Sequence, residues 1–403
     1  MIQGYILRDY QQQVVTTALA HIRSGRGNPV LALSTGAGKS LIIAEIARQS
    51  GLDVLILQPS KEILEQNVEK LSKYVDKKDI GIYSASVGEK TVARYTFATI
   101  GSIYAKSELF THCGLAILDE CHLLSPKDTG TMLTSFLRKL NIKTIGLTAT
   151  PWRLYSTAAP SADGFGMDTF TAHKVITRLK DGFWSDVICN VTMYDLIENG
   201  YLCAPKYYDN SKRSHGEIPM NKSGSEFDLE KYELLSRGDE EDVLDVVRRA
   251  MQQSRSVLVF CISVEQATRF SLIVKDAVLV TGKTKPAERK QLVDDFKAGK
   301  IKTIFNVGCF TTGFDHPELD CIVLVRPTRS IGLYMQMVGR GVRCAEGKDH
   351  CKVVDFTGTI KAFGVVEKIK LVRINGLWDI WSSTGVWHYK DVSKIHDKQQ
   401  LSW

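Results

Sequence analysis

The sequence predicts an α/β protein built from two tandem domains with mostly parallel sheets. Short apolar runs, each followed by a stretch of helical periodicity, recur in both halves, which is typical of buried parallel strands joined by helices. The length of 403 residues corresponds to two or three domains of about 150 residues each. With 44% hydrophobic and 24% charged residues, the composition is near the globular average and excludes a mainly disordered or fibrous protein.

The predicted strands and domain limits follow these apolar runs. In the first half the strands are Val30–Ser34, Val54–Leu57, Leu115–Leu118 and Thr144–Leu147. In the second half they are Val257–Phe260, Ala277–Val280, Thr303–Phe305 and Cys321–Val325. We therefore predict domain 1 over residues 1–155, a linker or inserted segment over 156–236, domain 2 over 237–360 and a C-terminal tail over 361–403.

The segment between the domains and the tail differ from both domains in composition. Ala158–Gly166 and Asn210–Glu226 are irregular, and the second is polar and contains Gly and Ser, as a loop or linker does. We predict a helix over Val187–Asn199. Four of the six tryptophans lie in the tail: Trp378, Trp381, Trp387 and Trp403. We expect them to pack a small β element onto the second domain, and the alternative is that they stack on bases or wedge a junction.

Charge and cysteine usage narrow the class of protein. The net charge of +7 fits a polyanionic partner, although ordinary basic enzymes also reach it. No run of about 18 apolar residues occurs, so we predict no membrane span and no membrane partner. The first residues lack a signal-peptide pattern, and we expect a cytoplasmic protein. Nine cysteines without a CxxC pair favour buried, reduced thiols over a disulfide framework or a zinc ribbon.

A phosphate-binding loop is predicted at LALSTGAGKS, Leu31–Ser40. A strand leads into a glycine turn that is followed by the helical stretch LIIAEIARQ, which is the context of a P-loop. The residues expected to bind a nucleoside triphosphate are Thr35, Gly36, Ala37, Gly38, Lys39 and Ser40. Lys39 would reach the β and γ oxygens, and Ser40 would ligate Mg²⁺. Leu33 stands where the strict pattern has glycine, and the alternative is a helix-capping turn with a solvated lysine.

Two adjacent carboxylates follow an apolar strand in the run LAILDECH. Because neighbouring residues at a strand end present different faces, Asp119 can hold Mg²⁺ while Glu120 polarises the attacking water. Alone, the pair is equally compatible with a solvated acidic turn before a helix. Downstream of a P-loop, it indicates hydrolysis of a nucleoside triphosphate.

The order of P-loop, DECH and then Gly146–Pro151 (GLTATP) resembles the superfamily 2 helicases of the DExH-box kind. The resemblance implies two RecA-like, P-loop NTPase domains that use ATP and Mg²⁺. It also implies that LRDYQQ recognises adenine, with Gln11 as the reader and Arg8 in support.

Three more residues of the first half take a role from this resemblance. Thr148 and Thr150 match the family's motif III and would couple hydrolysis to movement. His122 would link the DECH site to the second domain, and the alternative is that it caps the following helix.

The run QMVGRGVR in the second half is similar to the family's motif VI. Its two arginines are three residues apart, and we predict that they share one face of a helix. Arg340 and Arg343, together with Gln336, would stabilise the charge that develops on the γ-phosphate, as arginine fingers do. A solvated helix face is the alternative for such a run taken alone.

The remaining motifs of the resemblance concern nucleotide and nucleic acid. TTGFD resembles motif V, in which Gly313 and Asp315 would contact the nucleotide. Loops expected to contact nucleic acid contain Pro59, Ser60, Lys61, Gly101, Ser102, Thr281, Gly282, Thr311 and Thr312. We expect these loops to lie opposite the ATP cleft and to bind the phosphate backbone, independently of sequence and with strong salt dependence. The alternative is that the residues of these loops only cap helices or carry surface charge.

The order and sequences of the motifs across roughly residues 7–355 resemble those of bacterial and phage helicases of the RadD/YejH type, which are related to UvsW and XPB. This resemblance implies an ATP-dependent helicase or translocase that acts on forked or branched DNA in repair, recombination or replication. Its expected partners are single-stranded-DNA-binding proteins or replication and repair proteins, and the expected location is a bacterium or a phage-infected cell. The cysteine-rich, zinc-binding region of RadD-like proteins has no counterpart in this sequence. An RNA helicase and the motor of a restriction or defence complex are the alternatives.

Overall fold

Two parallel sheets, each flanked by helices, organise the two halves of the chain. The computed structural model describes residues 5–124, 132–160, 167–179, 182–310 and 314–386. The chain divides into two units. The first comprises Met1–Arg153, Val175–Thr192 and Arg373–Trp378, and the second comprises Leu154–Lys174, Met193–Val372 and Asp379–Trp403.

The elements alternate between strand and helix through most of the described chain. The strands are β1 (Asn28–Leu33), β2 (Val54–Gln58), β3 (Ile80–Ser84), β4 (Glu89–Lys90), β5 (Tyr95–Thr99), β6 (Leu115–Asp119), β7 (Lys143–Thr148), β8 (Trp152–Pro160), β9 (Met167–Val175), β10 (Trp184–Val191), β11 (Ala204–Asp209), β12 (Val257–Phe260), β13 (Ala277–Thr281), β14 (Thr303–Val307), β15 (Cys321–Leu324), β16 (His350–Asp355), β17 (Lys370–Ile374), β18 (Leu377–Ser382) and β19 (Gly385–Val386). The helices are α1 (Asp9–Ser24), α2 (Lys39–Ser50), α3 (Lys61–Leu71), α4 (Ile100–Ile103), α5 (Met132–Leu140), α6 (Met193–Glu198), α7 (Leu229–Ser236), α8 (Glu240–Gln253), α9 (Val264–Ile273), α10 (Pro286–Lys297), α11 (Ile331–Val338) and α12 (Thr359–Phe363).

The first sheet has the strand order β10-β1-β7-β6-β2-β5-β3-β4. All pairs are parallel except β3 with β4. Every residue of β2 and β6 is buried, as expected for central strands covered by helices on both faces. The predicted fold class is confirmed, and the parallel order places the carboxyl ends of these strands along one edge.

An additional strand joins this sheet where we predicted a helix. Val187–Val191 belongs to β10, whose register pairs Val30 with Val187 and Leu33 with Val191, and only then does the chain enter α6. The prediction of one helix over Val187–Asn199 was therefore wrong in its first part. Trp184 of β10 packs over β7 so closely that a Cβ at Gly146 would lie 2.6 Å from its ring. Pairing with β1 and this tryptophan contact outweigh the local helical pattern.

The second sheet has six parallel strands in the order β11-β16-β15-β12-β14-β13. The four predicted strands of this half are present. Both β11 and β16 were missed, since their polar residues interrupt the apolar runs. Helices α8 and α9 pack apolar residues against the sheet in one buried cluster that includes Val247, Phe270 and Phe305.

The polar segment at Asn210–Glu226 is anchored within the second unit. Glu226 accepts hydrogen bonds from the Arg329 N–H at 2.8 Å and from the Thr328 hydroxyl at 3.1 Å. Its carboxylate thereby holds the segment beside the residues that lead into α11.

The tail forms a small sheet in the order β17-β18-β19. Trp381 stacks with Lys370, whose Nζ lies 5.5 Å from the ring centroid. Trp378 instead belongs to the first unit, where its indole N–H donates to Asp186 at 2.6 Å, so the expectation that it packs on the second domain was wrong. Trp387 and Trp403 lie outside the described residues. No helix among those that are described is long and apolar enough to cross a bilayer.

Two buried histidines lie in the second unit next to Arg329. Burial, together with that arginine, lowers the pKa of His215 and of His173 to about 3. Both imidazoles are therefore neutral in the folded protein, and His215 packs edge-on against Phe227 and Phe363. An unfolded histidine, with a pKa near 6.5, takes up a proton as the pH falls.

The His215→Phe variant is expected to change the pH dependence of stability. The contribution of His215 is complete above about pH 6.5 and is lost as the pH falls toward 3, because only the unfolded chain binds that proton. The free energy of unfolding of the wild type relative to the variant should therefore fall by about 1.4 kcal/mol per pH unit between about pH 6 and pH 4. Urea unfolding across this range measures it. The His112→Gln variant, which changes an exposed histidine, should show the same pH dependence of the free energy of unfolding as the wild type. If His215→Phe and the wild type also showed the same pH dependence, the prediction would be contradicted.

Candidate functional site

The predicted P-loop lies at the carboxyl end of β1 and is shaped by two glycines. Gly36 and Gly38 have φ angles of 87° and 76°, in the left-handed region that favours glycine. The Ala37 N–H donates to the Ser34 carbonyl at 3.0 Å and closes the turn. Because Gly38 caps α2, the first N–H groups of that helix lack intrahelical acceptors and face the loop. The turn is suited to an anion.

Gln11, the predicted adenine reader, lies against this turn. Its Nε2 donates to the Ala37 carbonyl at 3.1 Å, and its Oε1 accepts from the Arg8 N–H at 3.0 Å. The Tyr10 hydroxyl donates to the same Ala37 carbonyl at 3.0 Å. A Cβ at Gly38 would lie 2.5 Å from the Gln11 amide. The structure thus brings the amino-terminal segment to the P-loop, although the Arg8 side chain is exposed.

Lys39 contacts both carboxylates of the DECH segment. Its Nζ forms an ion pair with Glu120 and lies 4.0 Å from Asp119 Oδ1. Glu120 has a φ of 48°, a left-handed conformation that is uncommon for a residue with a side chain and that is typical of functional sites. Ser40 and Thr35 are half-buried on either side of this loop.

Burial and Lys39 shift the pKa values of the two carboxylates in opposite directions. Burial raises the pKa of Asp119 to about 6, against the lowering effect of Lys39. Burial also acts to raise the pKa of Glu120, but the Lys39 ammonium and His122 outweigh it and hold that pKa well below its ordinary value. Glu120 is therefore an anion at neutral pH, whereas Asp119 protonates more readily than an ordinary aspartate.

The three predicted coupling residues form one connected chain beside Glu120. His122 Nδ1 lies 2.8 Å from the Thr148 hydroxyl and 3.4 Å from Glu120 Oε2. The Thr148 hydroxyl accepts the Thr150 N–H at 3.0 Å. The His122 ring is thus engaged with a side chain at the end of β7. Coupling of hydrolysis to movement by these residues stays a prediction.

The two arginines of QMVGRGVR lie beyond the end of α11. That helix ends at Val338, and Gly339 and Gly341 flank Arg340. The prediction that Arg340 and Arg343 share one helical face was wrong, because two glycines after the apolar helix favour a turn. Gln336 remains on α11 and is half-buried.

Both arginines contact the end of the predicted motif V segment. Arg340 Nη1 donates to the Phe314 carbonyl at 2.9 Å, and Arg343 forms an ion pair with Asp315. Arg343 also forms an isolated antiparallel bridge with Leu202. Since Leu202 lies just before β11, Arg343 is at the amino edge of the second sheet.

Two predicted nucleic-acid loops start side by side on the first sheet. Gln58 at the end of β2 and Thr99 at the end of β5 are register partners, and Pro59–Lys61 and Gly101–Ser102 follow them. In the first unit these loops lie on the carboxyl edge that also carries the P-loop and DECH. The expectation that they lie opposite the ATP residues is therefore wrong for this unit, because the strands concerned are all parallel.

The serine hydroxyl groups of these two loops differ in whether they can donate a hydrogen bond to a phosphate. Ser60 caps α3 by accepting the Ile63 N–H at 3.4 Å, and its own proton is not used in that bond. The Ser102 hydroxyl accepts the Ala85 N–H at 2.9 Å and lies 2.9 Å from the Thr99 hydroxyl. Because Thr99 donates to Ser84, Ser102 must donate to Thr99. A phosphate contact at Ser102 would therefore use a main-chain N–H.

The third predicted loop follows β13 at the carboxyl edge of the second sheet. The Thr281 hydroxyl accepts the Lys283 N–H at 3.1 Å, and the space around Gly282 is open. In this unit the loop and Arg343 lie at opposite edges. Thr311, Thr312 and Gly313 lie outside the described residues.

Comparison with known proteins identifies both halves. Residues 4–153 match the family described as "Type III restriction enzyme, res subunit", and residues 240–345 match "Helicase conserved C-terminal domain". The chain is 28% identical over 396 residues to a Saccharomyces cerevisiae protein named as the ATP-dependent helicase IRC3, covering 92% of this chain and 54% of that protein. It is 25% identical over 363 residues to the DNA 3'-5' translocase XPB2 of Sulfurisphaera tokodaii, covering 84% of this chain and 78% of that one. These matches support the predicted resemblance to the superfamily 2 helicases.

The fold of this chain agrees with solved structures. The DNA-bound Type ISP restriction-modification enzyme LlaBIII matches with a TM-score of 0.63 at 17% identity, over 88% of this chain and 28% of that enzyme. The likeness supports two RecA-like domains. The chain spans about half the length of its yeast relative, 54%.

Asn67 is a residue of the candidate site that sequence reasoning missed. Its Nδ2 donates to Asp119 Oδ2 at 3.3 Å, and the side chain is 1% exposed. It lies on the buried face of α3 with Ile63, Leu64 and Leu71. A polar residue in an apolar helical stripe requires a partner, and this was the signal available in the sequence.

The site fits a triphosphate with a bound cation. Near it, among the described residues, the buried oxygens Ser34 Oγ and Thr150 Oγ1 have no hydrogen-bond partner, whereas buried polar atoms normally have one. Asp119 and Ser40 offer the oxygen ligands that Mg²⁺ prefers.

Proposed function

We propose that this protein is a helicase that hydrolyses ATP and uses the energy to translocate on DNA and to unwind or remodel forked and branched DNA. The observation that carries the proposal is the contact of Lys39 with Asp119 and Glu120 beside a P-loop of suitable conformation. This arrangement brings a phosphate-binding cation, a metal-binding carboxylate and a base to one edge of a parallel sheet.

Each residue of the first unit has a separate part in the proposed reaction. The main-chain N–H groups after Gly36 and Gly38 bind phosphate oxygens, and Lys39 stabilises their charge. Glu120, held anionic, orients the attacking water and accepts its proton. Asp119 and Ser40 would hold Mg²⁺, which supplies Lewis-acid stabilisation of the phosphoryl oxygens when bound. Gln11 would read the adenine.

The second unit supplies positive charge in this proposal. Arg340 and Arg343, with Gln336 beside them, would stabilise the charge on the γ-phosphate, as arginine fingers do. Asp315 would contact the ribose. Their positions at one turn, where Arg340 binds Phe314 and Arg343 binds Asp315, support a shared role.

DNA is the proposed substrate because the archaeal relative is named as a DNA translocase. The loops at Ser60, Lys61 and Thr281 would contact the phosphate backbone through hydroxyl, ammonium and main-chain groups, which carry no base sequence. A RadD/YejH-like role in repair, recombination or replication, with single-stranded-DNA-binding or other repair partners, belongs to the same proposal.

ATP hydrolysis by the purified protein is expected to be stimulated by DNA. Single-stranded, duplex and forked DNA and the matching RNAs are compared in a steady-state ATPase assay. The DNA concentration for half-maximal stimulation should rise by about 10-fold or more between roughly 50 and 200 mM salt. Absence of stimulation by every nucleic acid would refute the motor, and stimulation by RNA alone would establish the RNA helicase instead.

A restriction or defence motor is the second candidate function. The family matched by residues 4–153 and the similarity to LlaBIII favour it. Such a motor would move along duplex DNA and displace a bound third strand without separating the duplex. Displacement of a triplex-forming strand without unwinding of forks would therefore favour this candidate, and unwinding of forks would favour the first.

A further inference from the structure

Lys348 is a buried lysine whose described contacts are all with main-chain carbonyls. It is 9% exposed. Its Nζ donates to the carbonyls of Pro317 at 2.7 Å, Gly341 at 2.5 Å and Arg343 at 2.7 Å. An ammonium group has three N–H donors and no acceptor, so these bonds use all of them. Lys348 therefore cannot bind a phosphate without giving up one of these carbonyls.

The three carbonyls belong to the two segments that carry the charged residues of the second unit. Pro317 lies two residues after Asp315, and Gly341 lies between Arg340 and Arg343. One ammonium thus joins the segment that holds Asp315 to the turn that holds both arginines. The Arg343–Asp315 ion pair and the Arg340 bond to Phe314 connect the same two segments through side chains.

The turn is also held from the side of the sheet. A Cβ at Gly341 would meet the Cys351 sulfur and would lie 2.9 Å from Ile322 Cδ1, so the turn approaches β15 and β16 as closely as glycine allows. The Cys203 N–H donates to the Val342 carbonyl at 2.8 Å. These contacts fix Val342 and Gly341, and the carbonyls of Gly341 and Arg343 depend on Lys348 as their charged donor.

We propose that Lys348 is a positioning residue that fixes Arg340 and Arg343 for the reaction. The inference rests on the proposed function for its effect on catalysis. Loss of the ammonium would leave buried carbonyls without a charged donor, and the turn would relax toward arrangements in which they reach water. The arginines would then be misplaced, although neither would be lost.

Replacement of Lys348 by Met should separate positioning from general damage. Misplacement of about 1 Å is expected to lower kcat by about 10- to 100-fold, with the KM for ATP changed by less than about 3-fold. Arg343→Ala should spare ATP binding and lower kcat by about 100-fold or more. Because part of the effect of Lys348 would act through Arg343, adding Lys348→Met to Arg343→Ala should lower kcat by clearly less than the product of the two separate losses. If the loss of kcat in the double variant equalled the product of the losses in the two single variants, the inference would be overturned.

Lys302 offers a matched control within the same unit. It also donates to a main-chain carbonyl, that of Met251 at 3.2 Å, but it is exposed. Lys302→Met is expected to retain wild-type kcat and KM. Lys348→Arg, which keeps the charge and several donors, should recover part of the rate lost in Lys348→Met.

Hydrogen exchange without nucleotide tests the positioning independently of ATP hydrolysis. Peptides covering residues 314–320 and 339–346 should exchange at least about 10-fold faster in Lys348→Met than in the wild type or in Lys302→Met. Unchanged exchange in both peptides would overturn the inference. If the wild type does not hydrolyse ATP, the proposed function fails, and the exchange result still decides whether Lys348 holds this turn.

Discussion

Glu120→Gln is expected to lower ATP turnover by about 10²- to 10⁴-fold while leaving ATP binding intact. The carboxylate is held as an anion by Lys39 and His122, which is the state required to accept a proton from the attacking water. Glutamine keeps the shape of the side chain and an oxygen toward Lys39 but cannot accept that proton. Steady-state ATPase assays and titration with a fluorescent ATP analogue measure the two effects separately.

A second measurement on the same variant concerns Asp119. The negative charge of Glu120 contributes to the raised Asp119 pKa of about 6, so its removal should lower that pKa. Protonated Asp119 cannot ligate a cation. Magnesium-dependent nucleotide binding should therefore persist to lower pH in Glu120→Gln than in the wild type. Substitution of the exposed Glu108 by Gln is the matched control, and a Glu120→Gln enzyme with wild-type turnover would exclude Glu120 as the base.

Lys39→Ala is expected to abolish measurable turnover and to weaken ATP binding by about 10- to 100-fold. The ammonium is the charge that would bind the β and γ oxygens, and it contacts both carboxylates. Without it, burial becomes the main influence on Glu120, and the pKa of that carboxyl rises. Binding would thus be weakened and the base would be partly neutralised, which is why this substitution should be more damaging than Glu120→Gln.

Lys139 provides the control for this substitution. It is exposed on α5 of the same unit, and Lys139→Ala should bind and hydrolyse ATP as the wild type does. Calorimetric titration and steady-state kinetics compare the two variants. Retention of both binding and turnover in Lys39→Ala would show that this loop is not the ATP site.

The conformation of the proposed ATP site in the first half was predictable because its signals are local. A glycine turn between a buried strand and a helix leaves few conformations, and the positive φ values of Gly36 and Gly38 are those that the pattern requires. Asp119 and Glu120 follow a strand whose apolar run is unbroken, so their position at a sheet edge follows from the run itself. Contact of this pair with Lys39 required only that the two strands lie in one parallel sheet.

Features that depend on distant packing were missed. The sequence of β10 was interpreted as part of a helix because its partner strand, β1, is more than 150 residues away in the sequence. The hydrogen bond from the Asn28 side chain to the Phe183 carbonyl spans 155 residues. By contrast, Arg340 and Arg343 lie off α11 for a local reason, because Gly339 and Gly341 favour a turn after Val338. No pattern in the sequence marks Lys348, because its three acceptors are main-chain carbonyl groups, which leave no trace in residue type.

The sequence by itself determined the fold class, the superfamily resemblance and the residues that would bind and cleave ATP, because short motifs with fixed backbone requirements encode them. Only the tertiary structure decided how the second unit holds its arginines and which hydroxyls remain available to a phosphate. Those properties arise from main-chain carbonyls, close backbone approach at Gly341 and burial. None of these is a property of a residue type, and all depend on which strands lie next to one another.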